Sequence, residues 1–253
     1  MNARAKKIIL NIVYPVAVVA AVFAVWAIAA KVKGIPVILP SPKSAFSALG
    51  KLLSGSYFWR SLAGTLWRAC YSFLISFFIA LVLAVLAKSS RHAAGVIQPF
   101  MSVVRAVPTM AIIYILIIWF SRSLAPVVVA IVVICPTLYS VFLSAIASVD
   151  PKLYEMSKVY RVRKADVVFK LYIPNMAPAL FEGSASGFSL NVKLIIAAEA
   201  LASTEDSLGL IMKGSNMNLE TARLFAVTIA AVLLSVICEW AIRWIGKAVI
   251  RWK

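Results

Sequence analysis

An all-α polytopic membrane protein with six transmembrane helices is the fold class this sequence predicts, and three observations predict it. Apolar residues make up 63% of the 253 residues and the mean hydropathy is +0.96, whereas soluble domains are roughly half apolar. Six apolar runs are each long enough to cross a bilayer. Most of the 26 Lys and Arg residues, which leave a formal net charge of +17, fall between those runs. In a soluble domain that charge would point to nucleic acid. Placed between apolar runs it is the pattern of membrane loops, so membrane lipid is an expected partner and nucleic acid is not.

The first run, residues 8–30, holds 23 residues, about 34 Å of helix against a hydrocarbon core of about 30 Å. That length favours a span over a signal peptide, whose apolar core is only about 7–15 residues. Trp26 sits near its far end, at the depth aromatic belts favour. Residues 31–61 follow as a long polar connection in which Pro40 and Pro42 argue against a continuous helix. Phe58, Trp59 and Arg60 suit an interfacial approach to the second span, residues 62–87. Arg68 within it reads as an anchor that snorkels to water.

Residues 88–95 form a short basic turn with His92, the chain's single histidine. The third span, residues 97–120, is expected to be a helix kinked at Pro108, with Thr109 beside the kink as a candidate pathway residue. The fourth, residues 124–147, carries Pro126 and Pro136. The fifth, residues 177–202, is the least lipid-like, because Glu182, Asn191, Lys193 and Glu199 interrupt it. Such residues face a protein interior or a water-filled path, which makes Asn191, Lys193 and Glu199 candidates for lining a translocation path. Glu199 lies about 9 Å along the axis from Lys193 and some 120° around it, so Lys193 is expected to face a neighbouring helix, a second copy or the path. Gly183 and Gly187 offer a small face for close helix approach. In the sixth span, residues 224–245, Glu239 can pair with Arg243 at i, i+4, and Trp240, Trp244 and Trp252 belong to one interface. The chain thus divides into residues 1–61, a span and its external loop or elbow, and residues 62–253, a five-span core with a polar loop at 148–176.

That loop contains the longest run outside the N-terminal half that could not lie in lipid, residues 154–174. On a helix Val162, Ala165, Val168 or Phe169, and Tyr172 share one face, while Arg163, Lys164, Asp166 and Lys170 lie elsewhere around it. The apolar face needs a partner, either the lipid surface or another protein. Six spans put both termini on one side. With the N-terminus inside, the inner segments hold 15 Lys and Arg and the outer segments 8, so both termini and the 154–174 stretch are expected to be cytoplasmic.

Several chemistries are excluded. There is no Gly-x-x-x-x-Gly-Lys-Ser/Thr loop, so ATP is not cradled in the usual way and no cofactor is expected on this chain. One histidine rules out His-Glu-x-x-His zinc sites, and Cys70, Cys135 and Cys238 lie in apolar stretches without metal-ligand spacing. A membrane-embedded enzyme would need carboxylates paired at depth, but Glu182 and Glu199 are 17 residues apart on one helix, about 25 Å. An ATP-independent channel or secondary transporter is the rival from another class; duplicated halves would support it, and none is visible.

Short motifs carry a resemblance. Glu155, Leu171, Ile173 and Pro174 fall in the register of a cytoplasmic loop reading Glu-Ala-Ala, then Gly six positions after the Glu, then Ile-x-Leu-Pro, with Met156 and Ser157 in place of the two Ala and Arg161 in place of the Gly. Leu39-Pro40-Ser41-Pro42, Thr65-Leu66-Trp67-Arg68, Val107-Pro108-Thr109, Ile118-Trp119-Phe120, Ala198-Glu199 and Leu208-Gly209-Leu210 are similar to further elements of the same proteins. The chain resembles inner-membrane permease subunits of binding-protein-dependent ABC importers, in the branch that takes up nitrate, sulfonates and taurine.

The resemblance implies a type I importer permease fold with a cytoplasmic coupling helix between spans four and five. It also implies a non-enzymatic subunit in the inner membrane that forms a path for a small solute, a small anion or alternatively a thiamine precursor or other vitamin. The implied partners are a cytoplasmic ATP-binding subunit that hydrolyses the ATP, an external solute-binding protein and a second permease copy in a homodimer. Glu155, Arg161, Arg163, Asp166, Val168, Phe169 and Pro174 are the residues it assigns to coupling. The family's Gly suits a turn with positive φ, so Arg161 is expected either to be strained there or to sit in a differently built turn.

Overall fold

The computed structural model describes residues 3–250, with side chains from Val13 onward except Pro15; Trp252 lies outside the described residues. Its helices run in the order α1 (Ala3–Lys33), α2 (Pro42–Leu53), α3 (Ser56–Ser89), α4 (Arg91–Ala106), α5 (Thr109–Trp119) and α6 (Ala125–Ala147). Then come α7 (Pro151–Val159), α8 (Lys164–Asp166), a π-helical segment (Val167–Tyr172), α9 (Ile173–Ala202), α10 (Leu208–Met217) and α11 (Thr221–Val249). Among the described residues five helices, or helix runs in the case of Lys164–Ala202, are long and apolar enough to cross a membrane, and α4 with α5 makes a sixth if the pair is one span.

Two of these elements differ from the sequence expectation. The third span is two helices meeting at 94°. Pro108 has no N–H to donate and forces Val107 out of the helical region, to φ −69° and ψ 129°. The polar connection after α1 contains a helix, α2, because Pro42 stands at its first position, where a missing N–H costs nothing. Ser41 caps it by accepting the Ser44 N–H at 3.2 Å.

The chain forms two compact units, one of residues up to Phe58 with Ile211–Ala230, the other of Trp59–Leu210 with the residues from Ala231 on. In the first, the Trp26 indole donates to the Pro40 carbonyl at 2.9 Å, and the Phe46 ring packs 5.8 Å from that of Phe23. Trp26 also stacks on Phe225 at 5.4 Å, which ties the start of α11 to α1.

In the second unit α6 and α9 form the central pair. Lipid tails are as apolar as Leu, so helices in a membrane associate through close packing rather than through the hydrophobic effect. The small residues of α9 provide it. A Cβ on Gly183 would run into Val141, and one on Gly187 would sit 3.0 Å from Leu138. Around this seam Phe73 meets Phe188 edge-on at 5.1 Å and Phe77 meets Phe142 at 4.9 Å. Ile113 and Leu116 of α5, Val129 of α6 and Ala198 of α9 close a second cluster. The large apolar side chains left uncovered, such as Trp67, Val82 and Ile237, are what a lipid-facing surface requires.

Candidate functional site

The loop between α6 and α9 is built as two short helical pieces rather than the single amphipathic helix expected over 154–174. Asp150 starts α7 by accepting the Lys152 N–H at 2.8 Å, with Pro151 in the first helical position. The helix then ends in a Schellman turn: the Val162 N–H bonds the Ser157 carbonyl at 2.9 Å and the Arg161 N–H bonds Lys158 at 3.0 Å. Arg161 occupies the position of the turn that Gly usually takes, with φ at 52°. The turn that the motif implies is therefore present, and Arg161 carries its strain.

A left-handed L-residue costs roughly 1–2 kcal/mol, part of which the greater unfolded-chain freedom of Gly offsets. Arg161→Gly is therefore expected to raise thermal stability slightly, by up to about 1 kcal/mol, in a detergent melting experiment. A fall in the midpoint would mean that the exposed guanidinium contributes more than the strain removes.

Beyond the turn Asp166 pairs with Lys170 at 2.7 Å, and Tyr154 and Tyr172 meet edge-on at 6.2 Å, closing α7 against the π-helical segment. Between them lies a groove of about 400 Å³ bounded by Leu153, Met156, Val162 and Leu171. Val168 and Phe169 point away from the unit, 46% and 68% exposed. Glu155 falls in the second turn of α7, exposed, with no hydrogen bond or ion pair among the described residues; Arg163 leads into α8, and Pro174 sits in the first turn of α9. The loop thus displays an apolar and basic surface that is left exposed among the described residues.

The pathway candidates separate. Asn191 and Glu199 are fully buried. Asn191 donates to the Ala69 carbonyl at 2.8 Å and to Ser72 at 3.1 Å, joining α9 to α3. Glu199 accepts from Arg68 at 2.7 Å, from Thr65 at 2.9 Å and from the Gly209 N–H at 3.4 Å. Both join helices through buried hydrogen bonds. Thr109 begins α5, half-buried at the break. Lys193 does keep an open surface: Ser186, Leu190, Lys193 and Ala197 form one exposed stripe along α9, and the ammonium has no partner among the described residues.

The Arg68–Glu199 cluster was missed in the sequence, where Arg68 reads as a lipid anchor. Its guanidinium also donates to the Glu205 carbonyl at 2.9 Å, while Arg60 pairs with Asp206 at 2.6 Å and the Leu208 N–H bonds Thr65 at 2.9 Å. Gly64 and Gly209 let the 203–209 turn approach, since a Cβ on either would collide with main-chain atoms. Three separate motif fragments, Thr65 to Arg68, Ala198-Glu199 and Leu208 to Leu210, are thus one hydrogen-bonded knot. A usable signal existed: no Asp or Glu precedes Asp150, so any carboxylate partner for Arg68 must come from the second half.

Two further cationic groups have partners. Arg243 bonds Glu239 at 3.0 Å, as the i, i+4 spacing predicts, and also pairs with Glu182 of α9. Arg105 donates to the Pro136 carbonyl at 2.8 Å and to Ser140, where Pro136 interrupts the ladder of α6. Among the described residues no His, Cys, Asp and Glu cluster could hold a metal ion.

Comparison with known proteins places this geometry. The family model described as "Binding-protein-dependent transport system inner membrane component" matches residues 76–251. A probable ABC transporter permease protein of Haemophilus influenzae is 22% identical over 238 residues, 93% of this chain and 96% of its own length. A protein of Escherichia coli named as the aliphatic sulfonates transport permease SsuC is 24% identical over 235 residues, 91% of this chain and 88% of that one. Among solved structures, a bacterial alginate ABC transporter in complex with an alginate pentasaccharide-bound periplasmic protein matches with a TM-score of 0.64 at 14% identity, over 97% of this chain and 98% of that chain.

Proposed function

The chain belongs to the binding-protein-dependent transport system inner-membrane components, and from that premise we propose that it is the membrane-spanning subunit of an ATP-driven importer for a small anion. As a permease subunit it is a multi-pass inner-membrane protein that transports rather than catalyses. ATP is hydrolysed on a separate cytoplasmic subunit, which receives the α7–α8 loop. The apolar, basic and uncovered surface of Val162, Val168, Phe169, Arg161 and Arg163 supports that docking. The excess of Lys and Arg in the 148–176 loop and at the two ends supports a cytoplasmic position for all three. An external solute-binding protein delivers the substrate, and a second copy of the chain completes the path.

The observation that carries the substrate reading is Lys193. A cation in the middle of a span costs at least about 2.5 kcal/mol on insertion scales, yet here it stands on an open stripe of α9 with no counter-charge among the described residues. A passing anion supplies the missing charge, and the likeness to a permease named for aliphatic sulfonates agrees with that choice.

Uptake into proteoliposomes holding the chain, its ATP-binding subunit and its solute-binding protein tests this. Taurine, an alkanesulfonate or nitrate is expected to be taken up with ATP, and a thiamine-type pyrimidine is not. Lys193→Met is expected to cut uptake at least about tenfold, the effect of losing one direct charge contact, with assembly and basal ATPase activity intact; Lys193→Arg retains part of it. Full uptake by the Met variant removes Lys193 from the path, and uptake of the pyrimidine alone overturns the anion reading.

A further inference from the structure

We propose that α2, together with the groove it forms with the start of α11, binds the headgroup of an anionic phospholipid at the outer membrane surface. The chemistry stands on the first unit by itself; only the leaflet rests on the topology proposed above.

Depth is the first argument. Phe46 of α2 packs against Phe23, and Trp26 holds the Pro40 carbonyl at the entry to α2. Trp26 stands at the depth aromatic belts favour, and Phe23 lies about one turn deeper. Helix α2 therefore lies beside the last turns of a span, at headgroup level, and not out in the aqueous space. Its surface agrees: Phe46 and Leu53, 46% and 42% exposed, lie on one side, the exposed Lys51 lies nearly opposite and Lys43 between them, the apolar and basic faces of a helix lying in an interface.

Charge is the second. Lys31, Lys33, Lys43 and Lys51 cluster on one connection, and no Asp or Glu occurs anywhere before Asp150. None of these four ammonium groups has a hydrogen bond or ion pair among the described residues.

The groove is the third. It encloses about 620 Å³ between apolar walls from Pro36, Val37, Leu52 and Leu219, with Lys51 on one side and Arg223 on the other. Arg223 spends one nitrogen on Glu220 at 3.1 Å, while its Nε is buried without an acceptor. Glu220 cancels one of the two cations, and the single positive charge left matches the single negative charge of a phosphodiester. The Arg223 side chain is 43% exposed, so its guanidinium can donate to a phosphate oxygen, and the apolar walls suit the glycerol and the upper acyl chain.

The test uses the full chain, delipidated in an uncharged detergent, with lipid retention read by native mass spectrometry. Dioleoyl phosphatidylglycerol is expected to bind in preference to dioleoyl phosphatidylcholine. Lys51→Gln, at an exposed and unpaired position, is expected to weaken phosphatidylglycerol about fivefold, the effect of one basic residue at an anionic surface. Equal retention of the two lipids overturns the proposal, and so does unchanged binding by both Lys51→Gln and Arg223→Gln. Displacement of the lipid by millimolar glycerol phosphate would assign the groove to a free anion instead. Loss of binding to an acidic solute-binding protein in Lys51→Gln, with lipid retention unchanged, would assign the surface to that protein. Labelling of Lys43→Cys on intact cells by a membrane-impermeant maleimide tests the leaflet separately, so a wrong topology and a wrong ligand give different results.

Discussion

Arg68→Met is expected to destabilise the protein by about 3–5 kcal/mol, the cost of leaving a buried carboxylate without its cation. Glu199 has no exposed side-chain surface, and its other donors are the Thr65 hydroxyl and one distant main-chain N–H. Neither neutralises a full charge. Glu199→Gln removes that charge while keeping a hydrogen-bonding group of the same shape, so the double variant Arg68→Met/Glu199→Gln is expected to recover much of the loss. Melting midpoints in detergent for the wild type, both single variants and the double variant give the coupling directly. Additive effects would mean that the two side chains do not act as a pair, and a double variant no better than Arg68→Met would mean that the guanidinium's bonds to the 205 and 206 carbonyls matter more.

Replacing Val168 and Phe169 together by Asp is expected to release the ATP-binding subunit, lowering copurification at least about tenfold, as burial of two unpaired carboxylates in an apolar contact requires. Both side chains are exposed in this chain, so the variant is expected to insert and to elute from a sizing column as the wild type does. The cost in the permease itself is small, since Phe169 is 68% exposed and Val168 is only about half covered. Full copurification would remove the docking role from this surface, whereas failed insertion would show that Val168 and Phe169 support the permease fold.

The spans were legible where a single run of apolar residues decides the matter, as in α3, α6 and α11. Pro108 announced a kink, but its size was not legible, because a proline fixes where the ladder breaks and tertiary packing fixes the angle. Helix α2 was hidden by reading Pro42 as a breaker, when the Ser41-Pro42 pair is also a helix start. In the coupling loop the apolar face read from the sequence, Val162 to Tyr172, lies wholly beyond Arg161 and gave no sign of the turn before it. Only the Gly of the related motif hinted at the reversal that the φ of Arg161 makes explicit.

The site was less legible than the fold. Lys193 was correctly set apart from Glu199, because helix geometry alone separates them. The partner of Glu199 was not found, since Arg68 lies 131 residues away and no local period links them. Polar residues inside spans announce that they must be satisfied, but not by whom.

The order of synthesis gives that same ion pair a consequence for biogenesis. Arg68 leaves the ribosome 131 residues before Glu199, and at about 5–20 residues per second the delay is roughly 7–26 s. Until Asp150 is made the nascent chain holds a guanidinium in its second span with no acid at all, and Asp150, Glu155, Asp166 and Glu182, made next, are not its partners. Arrival of Glu199 supplies the counter-charge, and the knot closes only on chains translated past the 203–209 turn. A product truncated earlier keeps a guanidinium in its second span without the carboxylate that neutralises it.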